Sequence, residues 1–161
     1  MTYLNSSAEF SKDRVYRYKL ARHISHGDRK ILFVGLNPST ADETKDDATI
    51  RRCVAFSRKW GFNWYLMGNI YSYRSTDPKN LYTVDDPVDL IPNLCALGIM
   101  ASEAEVVVAA WGNNLLTAEA DLIANTILLL PHARCLGRNK NGSPKHPLYL
   151  HGDTELQPIR E

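Results

Sequence analysis

Four short apolar runs recur along the chain, each bounded by polar residues, Gly or Pro. Runs of this length between turn-forming residues are typical of buried strands. The segments between them place apolar side chains at helical spacing. The strand-like runs are residues 31–36, 64–70, 105–111 and 134–136, and the helical segments are residues 47–60, 88–102 and 114–130. This alternation predicts right-handed crossovers that join parallel strands, with helices on both faces of the sheet.

The fold class we expect is therefore α/β, a three-layer αβα sandwich around a central four-stranded parallel sheet. A length of 161 residues with 44% hydrophobic residues fits one domain with one core, so we assign residues 1–161 to a single domain. In the amino-terminal arm, Tyr16, Tyr18 and Leu20 alternate with other residues and predict an additional edge strand. With neither a membrane-length apolar run nor a signal-peptide pattern, the sequence predicts a cytoplasmic protein. We also expect a monomer.

Charge is unevenly distributed, although the formal net charge is only +1. Residues 12–30 contain seven Lys or Arg against two Asp, and residues 131–151 contain four Lys or Arg and no acid. Acidic residues predominate between 77 and 121. This distribution fits an anionic partner on one face, but a solvated basic surface is the commoner cause of such a pattern.

Polar residues stand at the ends of the predicted strands. Asn37 follows the first strand in a Gly-x-Asn-Pro turn, and Pro38 restricts its backbone. The second strand contains Asn69, Trp111 ends the third, and the loop 137–150 follows the fourth. Because the carboxyl ends of parallel strands share one edge of a sheet, where ligands bind, we expect these groups to surround one pocket.

Five motifs carry a resemblance to a known family. The segments "GLNPSTAD", "DDATIRRC", "YRSTDP", "AAWG" and "GSPKHPLYL" resemble the small bacterial and phage domain-of-unknown-function family sixteen-forty-three. More distantly, the layout is similar to the uracil-DNA glycosylase superfamily. Its members have a Gly-x-(Asp or Asn)-Pro motif, an Asn on the second strand, a Trp-Gly after the third and a late His-Pro. Here these correspond to Gly35–Pro38, Asn69, Trp111-Gly112 and His146-Pro147.

The resemblance implies a uracil-DNA glycosylase-like fold and hydrolysis of an N-glycosidic bond after the base is flipped into a pocket. Asn37 would position the attacking water, and Asn69 would read the pyrimidine edge. His146 would donate a hydrogen bond to the base oxygen that becomes negative as the bond breaks. Leu148 or Tyr149 would fill the gap that the flipped nucleotide leaves.

The expected site residues fall into three groups. The catalytic candidates are Asn37, His146 and Asp42. The substrate-binding candidates are Gly35, Leu36, Pro38, Ser39, Phe56, Asn69, Trp111 and Asn113. The DNA-binding candidates are Arg74, Arg138, Lys140, Ser143, Lys145, Pro147, Leu148 and Tyr149. The expected partner is single- or double-stranded DNA with a flipped or modified pyrimidine, and we expect no metal, no other cofactor and no membrane.

An acidic loop departs from the superfamily pattern. Asp42, Glu43, Asp46 and Asp47 follow the first motif, where they would repel phosphates and so disfavour duplex DNA with an unmodified base. A modified base, a free nucleotide or a different chemistry stays open. One of these aspartates could activate water or bind Mg²⁺, or the group could simply begin a helix. Asn37 could likewise serve only to bond the turn backbone.

Two other classes of function remain open. The first is a metal-dependent hydrolase or transferase acting on free nucleotides, which would use the acidic loop with Arg51, Arg52 and Arg74. The second is a non-catalytic nucleic-acid-binding module that uses the basic loop around Tyr149. Metal dependence would favour the first class, and salt-sensitive binding without a product would favour the second.

Overall fold

The structure, a computed structural model, describes residues 1–159 and forms a single mixed sheet with helices packed on it. The strands are β1 (Asn5–Phe10), β2 (Arg17–His23), β3 (Lys30–Gly35), β4 (Trp64–Asn69), β5 (Val106–Ala109), β6 (Ala133–Cys135) and β7 (Gln157–Pro158). The helices are α1 (Ala48–Lys59), α2 (Leu90–Glu103) and α3 (Ala118–Leu129), with a short 3-10 helix at Pro78–Tyr82.

The sheet has seven strands in the order β1-β2-β4-β3-β5-β6-β7. Strand β3 pairs in parallel with β4 and β5, and β5 pairs in parallel with β6. The pairs β1–β2, β2–β4 and β6–β7 are antiparallel. The prediction of a central four-stranded parallel sheet is therefore wrong, because antiparallel strands extend the sheet on both sides. Two of them, β1 and β7, are polar and partly or fully exposed, so they leave no apolar run in the sequence.

The amino-terminal arm is a hairpin rather than one edge strand. Strand β2 lies inside the sheet between β1 and β4, and β1 forms the edge. The residues of β1 alternate between exposed and half-buried positions, which is what an edge strand with one covered face requires.

A register shift in this hairpin changes the direction of one side chain. Glu9 pairs with Lys19, whereas the next residue, Phe10, pairs with Arg17, so Tyr18 is the extra residue of a β-bulge. A bulge of this kind interrupts the alternation of faces along the strand. As a result, Arg17 comes to the face of Leu20 instead of that of Lys19.

Helices cover both faces of the sheet. On one face α1 packs Ile50, Val54 and Phe56 against β3 and β4. On the other face α2 and α3 pack against the same sheet. Helix α1 begins where the Asp47 carboxylate accepts a hydrogen bond from the Ile50 N–H at 2.9 Å. No helix within residues 1–159 has both the length and the apolar composition that crossing a membrane requires.

Candidate functional site

A cleft of about 530 Å³ opens at the carboxyl ends of β3, β4 and β5. Asn37 and Asn69 reach it from the ends of β3 and β4, and Trp111 reaches it from the segment after β5. The loop that carries His146 closes another side. The expected convergence of strand ends on one pocket is therefore present in the structure.

Ten of the site residues expected from the sequence line this cleft. They are Gly35, Leu36, Asn37, Ser39, Asn69, Trp111, Asn113, Lys145, His146 and Pro147. The others do not line it: Pro38, Asp42, Phe56, Arg74, Arg138, Lys140, Ser143, Leu148 and Tyr149. Whether the lining residues bind or act on a substrate stays a prediction.

Three of the residues outside the cleft have structural contacts of their own. Phe56 is a residue of α1 whose side chain is buried in the core, and it stacks on Trp60 with 5.2 Å between ring centroids. The Asp42 carboxylate accepts backbone hydrogen bonds from Thr44 and Lys45, which lowers the pKa of Asp42. Arg74 lies over the ring of Phe10 and donates to the Arg14 carbonyl.

Asn37 bonds to the turn backbone. Its Nδ2 donates to the carbonyl oxygens of Ser75 at 2.9 Å and Pro38 at 3.1 Å. Asn37 therefore does bond the turn backbone, and these two hydrogen bonds fix the orientation of its amide. Within residues 1–159 the Oδ1 atom accepts no hydrogen bond, so it is the atom that Asn37 can offer to a ligand or a water.

In Asn69 the oxygen of the amide is bonded and the nitrogen is unpaired, the reverse of the arrangement in Asn37. Its Oδ1 accepts a hydrogen bond from Nη2 of Arg17 at 3.4 Å. Its Nδ2 has no partner within residues 1–159, although the residue is only 1% exposed. A buried donor left unpaired costs about 1–3 kcal/mol. Because Asn69 lines the cleft, a ligand acceptor could satisfy this donor.

Arg17 lies beside Asn69 and is the main residue that the sequence did not reveal. It is 2% exposed, and Nη1 donates to the Ala41 carbonyl at 3.0 Å. Burial lowers the pKa of Arg17 to about 10, so the guanidinium stays charged at neutral pH. Strict alternation would have placed it with Lys19, and only the bulge at Tyr18 turns it into the cleft.

His146 is held by its own loop. Its Nδ1 lies 3.2 Å from the Leu148 backbone nitrogen, and that N–H donates to it. Although part of the residue is exposed, the crowding of the ring by protein atoms lowers the pKa of His146, and the nearby Asp47 carboxylate acts in the opposite direction. The ring is therefore neutral at pH 7 with its proton on Nε2, which makes it a hydrogen-bond donor at the wall of the cleft.

Of the three aspartates in the acidic loop, Asp42, Asp46 and Asp47, only Asp47 lines the cleft. Asp46 is engaged with Arg22 at 2.9 Å and also accepts from the hydroxyl of Tyr3. Asp42 holds a turn, whereas Asp47 lines the cleft at the start of α1. One oxygen of Asp47 caps the helix, and the second is free of hydrogen bonds to residues 1–159. Asp47 is thus the carboxylate best placed to meet a ligand or a water.

Within the part of the chain that the structure describes, no three His, Cys, Asp or Glu side chains come together as metal ligands would. No curated protein matches the chain, and no solved structure does. A family model, described as "Protein of unknown function (DUF1643)", matches residues 17–148. That range runs from Arg17 through the Gly-x-Asn-Pro turn to the His146 loop and so holds most of the cleft. The chain belongs to this family.

Proposed function

We propose that this protein removes a modified pyrimidine from DNA by hydrolysing the N-glycosidic bond of a flipped nucleotide. One observation carries the proposal: the neutral ring of His146 and the unpaired Nδ2 of Asn69 line the same cleft. The volume of this cleft lies within the range of small-molecule sites. These donors suit a base, because a pyrimidine base carries exocyclic carbonyl oxygens that accept hydrogen bonds.

His146 supplies the main electrostatic contribution. As the bond between C1′ and the base nitrogen breaks, its electron pair stays on the base, which leaves as an anion. A donor placed at an oxygen of the base binds this anion more strongly than it binds the intact nucleotide, and so lowers the barrier. The Leu148 N–H fixes the tautomer that makes Nε2 the donor.

Asn37 and Asp47 act on the water in this mechanism. The Oδ1 of Asn37, whose orientation the Ser75 and Pro38 carbonyls fix, accepts a hydrogen bond from the water and holds it. The water oxygen forms the new bond to C1′ while its proton passes to the free oxygen of Asp47. Asp47 then releases this proton to solvent and the base anion takes up a proton from solvent, so the products are a free base and an abasic sugar.

The loop after β6 offers a surface for DNA beside the cleft. Tyr149 is 91% exposed, which is unusual for a large aromatic side chain and suits a residue that fills the space of a flipped nucleotide. Arg138 and Lys140 are exposed on the same loop and Lys145 lines the cleft, so positive charge is available for backbone phosphates.

A cleavage assay tests the proposal. Labelled single- and double-stranded oligonucleotides carrying uracil, 5-hydroxymethyluracil and other modified pyrimidines are incubated with the protein in chelating buffer and then treated with alkali. We expect strand breaks at one of the modified bases, lost in Asn37→Ala and retained in the control Asn125→Ala. Asn125 is a suitable control because it is exposed on α3, outside the cleft.

Two outcomes would contradict the proposal. Oligonucleotide binding without cleavage of any base would indicate a non-catalytic binding module. Loss of both binding and cleavage, together with metal-dependent turnover of free nucleotides, would indicate the nucleotide hydrolase or transferase instead.

A further inference from the structure

Arg17 is a buried cation without an acidic partner. Within residues 1–159 no carboxylate oxygen lies within 4.0 Å of its guanidinium, and its Nε has no hydrogen-bond partner. The other fully buried arginine, Arg22, has the opposite environment, since Asp46 pairs with it at 2.9 Å. Burial of an unpaired charge is costly, and proteins accept it where a ligand supplies the counter-charge.

The neighbours of Arg17 add further donors. Asn69 lies against it through the 3.4 Å bond to Nη2 and presents its own unpaired Nδ2. Thr49 and Ile50, in the first turn of α1, line the same cleft, and the amino end of a helix favours negative charge. Asp47 also lines it, but this carboxylate lies beyond ion-pair distance from Arg17 and accepts the Ile50 N–H.

We propose that Arg17 and Asn69 form an oxyanion subsite at the floor of the cleft, and that this subsite binds a carboxylate carried by a planar ring. That the ring is a pyrimidine follows from the proposed function. That the ligand is an anion is inferred from Arg17 alone. The preferred substrate is then a pyrimidine with a carboxylate substituent, in place of uracil or another neutral base.

Depth distinguishes this ligand from a backbone phosphate. Arg17 and Asn69 are 2% and 1% exposed, so they are almost fully buried where they line the cleft. The cations of the His146 loop that suit phosphates, Arg138 and Lys140, are exposed. A phosphate that is part of a DNA strand would meet this loop first, whereas a substituent at the far edge of a flipped base reaches the floor.

Equilibrium binding by titration calorimetry tests the subsite on the full chain at neutral pH. The probes are uracil-5-carboxylate, the neutral 5-hydroxymethyluracil of similar size, and inorganic phosphate. We expect the carboxylate to bind about 10- to 100-fold more tightly than the neutral base, the range of one charge-assisted hydrogen bond. Phosphate should bind more weakly than the carboxylate.

Two variants assign the preference to Arg17. Arg17→Met keeps a side chain of similar length without charge, and we expect it to bind both bases equally. The control Arg58→Met changes an exposed arginine in the last turn of α1, outside the cleft, and should keep the preference. Thermal unfolding of each variant shows whether it is folded. If Arg17→Met does not fold, the three probes on the unmodified protein still decide the question.

Three results would overturn the subsite: equal affinity for the charged and neutral bases, no binding of any probe, or a preference that survives Arg17→Met. If phosphate binds as tightly as the carboxylate, the subsite is a phosphate site, and the proposal that its ligand is a carboxylate on a planar ring is wrong. The two proposals fail separately. A carboxylate preference without excision contradicts only the glycosylase, and excision of neutral bases without this preference contradicts only the subsite.

Discussion

The Nδ1 atom of His146 accepts a hydrogen bond from the Leu148 backbone N–H over 3.2 Å, which leaves Nε2 as the protonated nitrogen of the neutral ring. The same local bond occurs at His151, whose Nδ1 accepts from the Asp153 N–H at 3.2 Å. His151 is exposed and outside the cleft, so the chain contains a matched pair of histidines. A functional difference between them has to come from the surroundings of the ring.

The first prediction concerns the ionisation of His146. Burial lowers its pKa below the ordinary value of about 6.5, so the folded state releases this proton more readily than the unfolded state. The stability that His146 contributes is therefore present above about pH 6.5 and lost as the pH falls through its lowered pKa. Excision should decline over the same range, because a protonated Nδ1 cannot accept from Leu148. Nitrogen-detected NMR should show the Nε2–H tautomer, and a pKa at or above 6.5 would contradict this description.

The second prediction concerns the amide of Asn37. Asn37→Ala removes the hydrogen bonds that its Nδ2 donates to the Ser75 and Pro38 carbonyls, so the free energy of unfolding should fall by about 1 kcal/mol. Asn37→Asp should lower it further, because a carboxylate at this position repels both carbonyl oxygens. Urea denaturation measures the two changes. A stability equal to that of the unmodified protein in both variants would show that these hydrogen bonds do not hold the turn.

The third prediction compares two glycines. A Cβ on Gly35 would lie 3.0 Å from Nδ2 of Asn69 and 2.6 Å from the flexible methyl end of Met67. Gly35→Ala should therefore weaken ligand binding with a small loss of stability. A Cβ on Gly68 would lie 2.4 Å from Leu97 and 2.9 Å from Met100 in the core between β4 and α2, so Gly68→Ala should mainly lower the unfolding temperature. Calorimetry and thermal unfolding separate the two effects, and a reversed pattern would refute the assignment.

The fourth prediction concerns the acidic loop. Asp46 pairs with the fully buried guanidinium of Arg22 at 2.9 Å, and its removal leaves that charge without a carboxylate. Asp46→Ala should lower the free energy of unfolding by about 3–5 kcal/mol. The control Glu43→Ala breaks the exposed pair with Arg14 and should change stability little. Similar losses in the two variants would show that burial of the Arg22 pair does not matter.

Much of the sheet could be anticipated from the sequence, but its edges could not. The apolar runs at residues 31–36 and 64–70 correspond to β3 and β4, because strands buried on both faces need continuous apolar residues. Strands β1 and β7 are polar and incompletely covered, and the pattern of hydrophobic residues gives no sign of them. Sheet pairing, which no local pattern encodes, determines that they extend the sheet.

The candidate site divides in the same way. Asn37, Asn69 and His146 line one cleft because strand ends and the following loops meet at one edge of the sheet. Phe56 does not, since it follows the cleft residue Ile50 by six positions on α1, about 9 Å farther along the helix axis. Arg17 reaches the cleft through a β-bulge, which shifts side-chain direction without a clear signal in the residue pattern.

The most direct test of the proposed base excision compares two variants, His146→Ala and His151→Ala. The measured quantity is the single-turnover excision rate of each variant on the best oligonucleotide substrate. Removal of a donor to developing negative charge costs about 100- to 1000-fold in rate, so His146→Ala should fall by this factor. His151→Ala should match the unmodified protein, because its ring lies outside the cleft. Equal rates for the two variants would contradict the assignment of His146 as the group that stabilises the departing base.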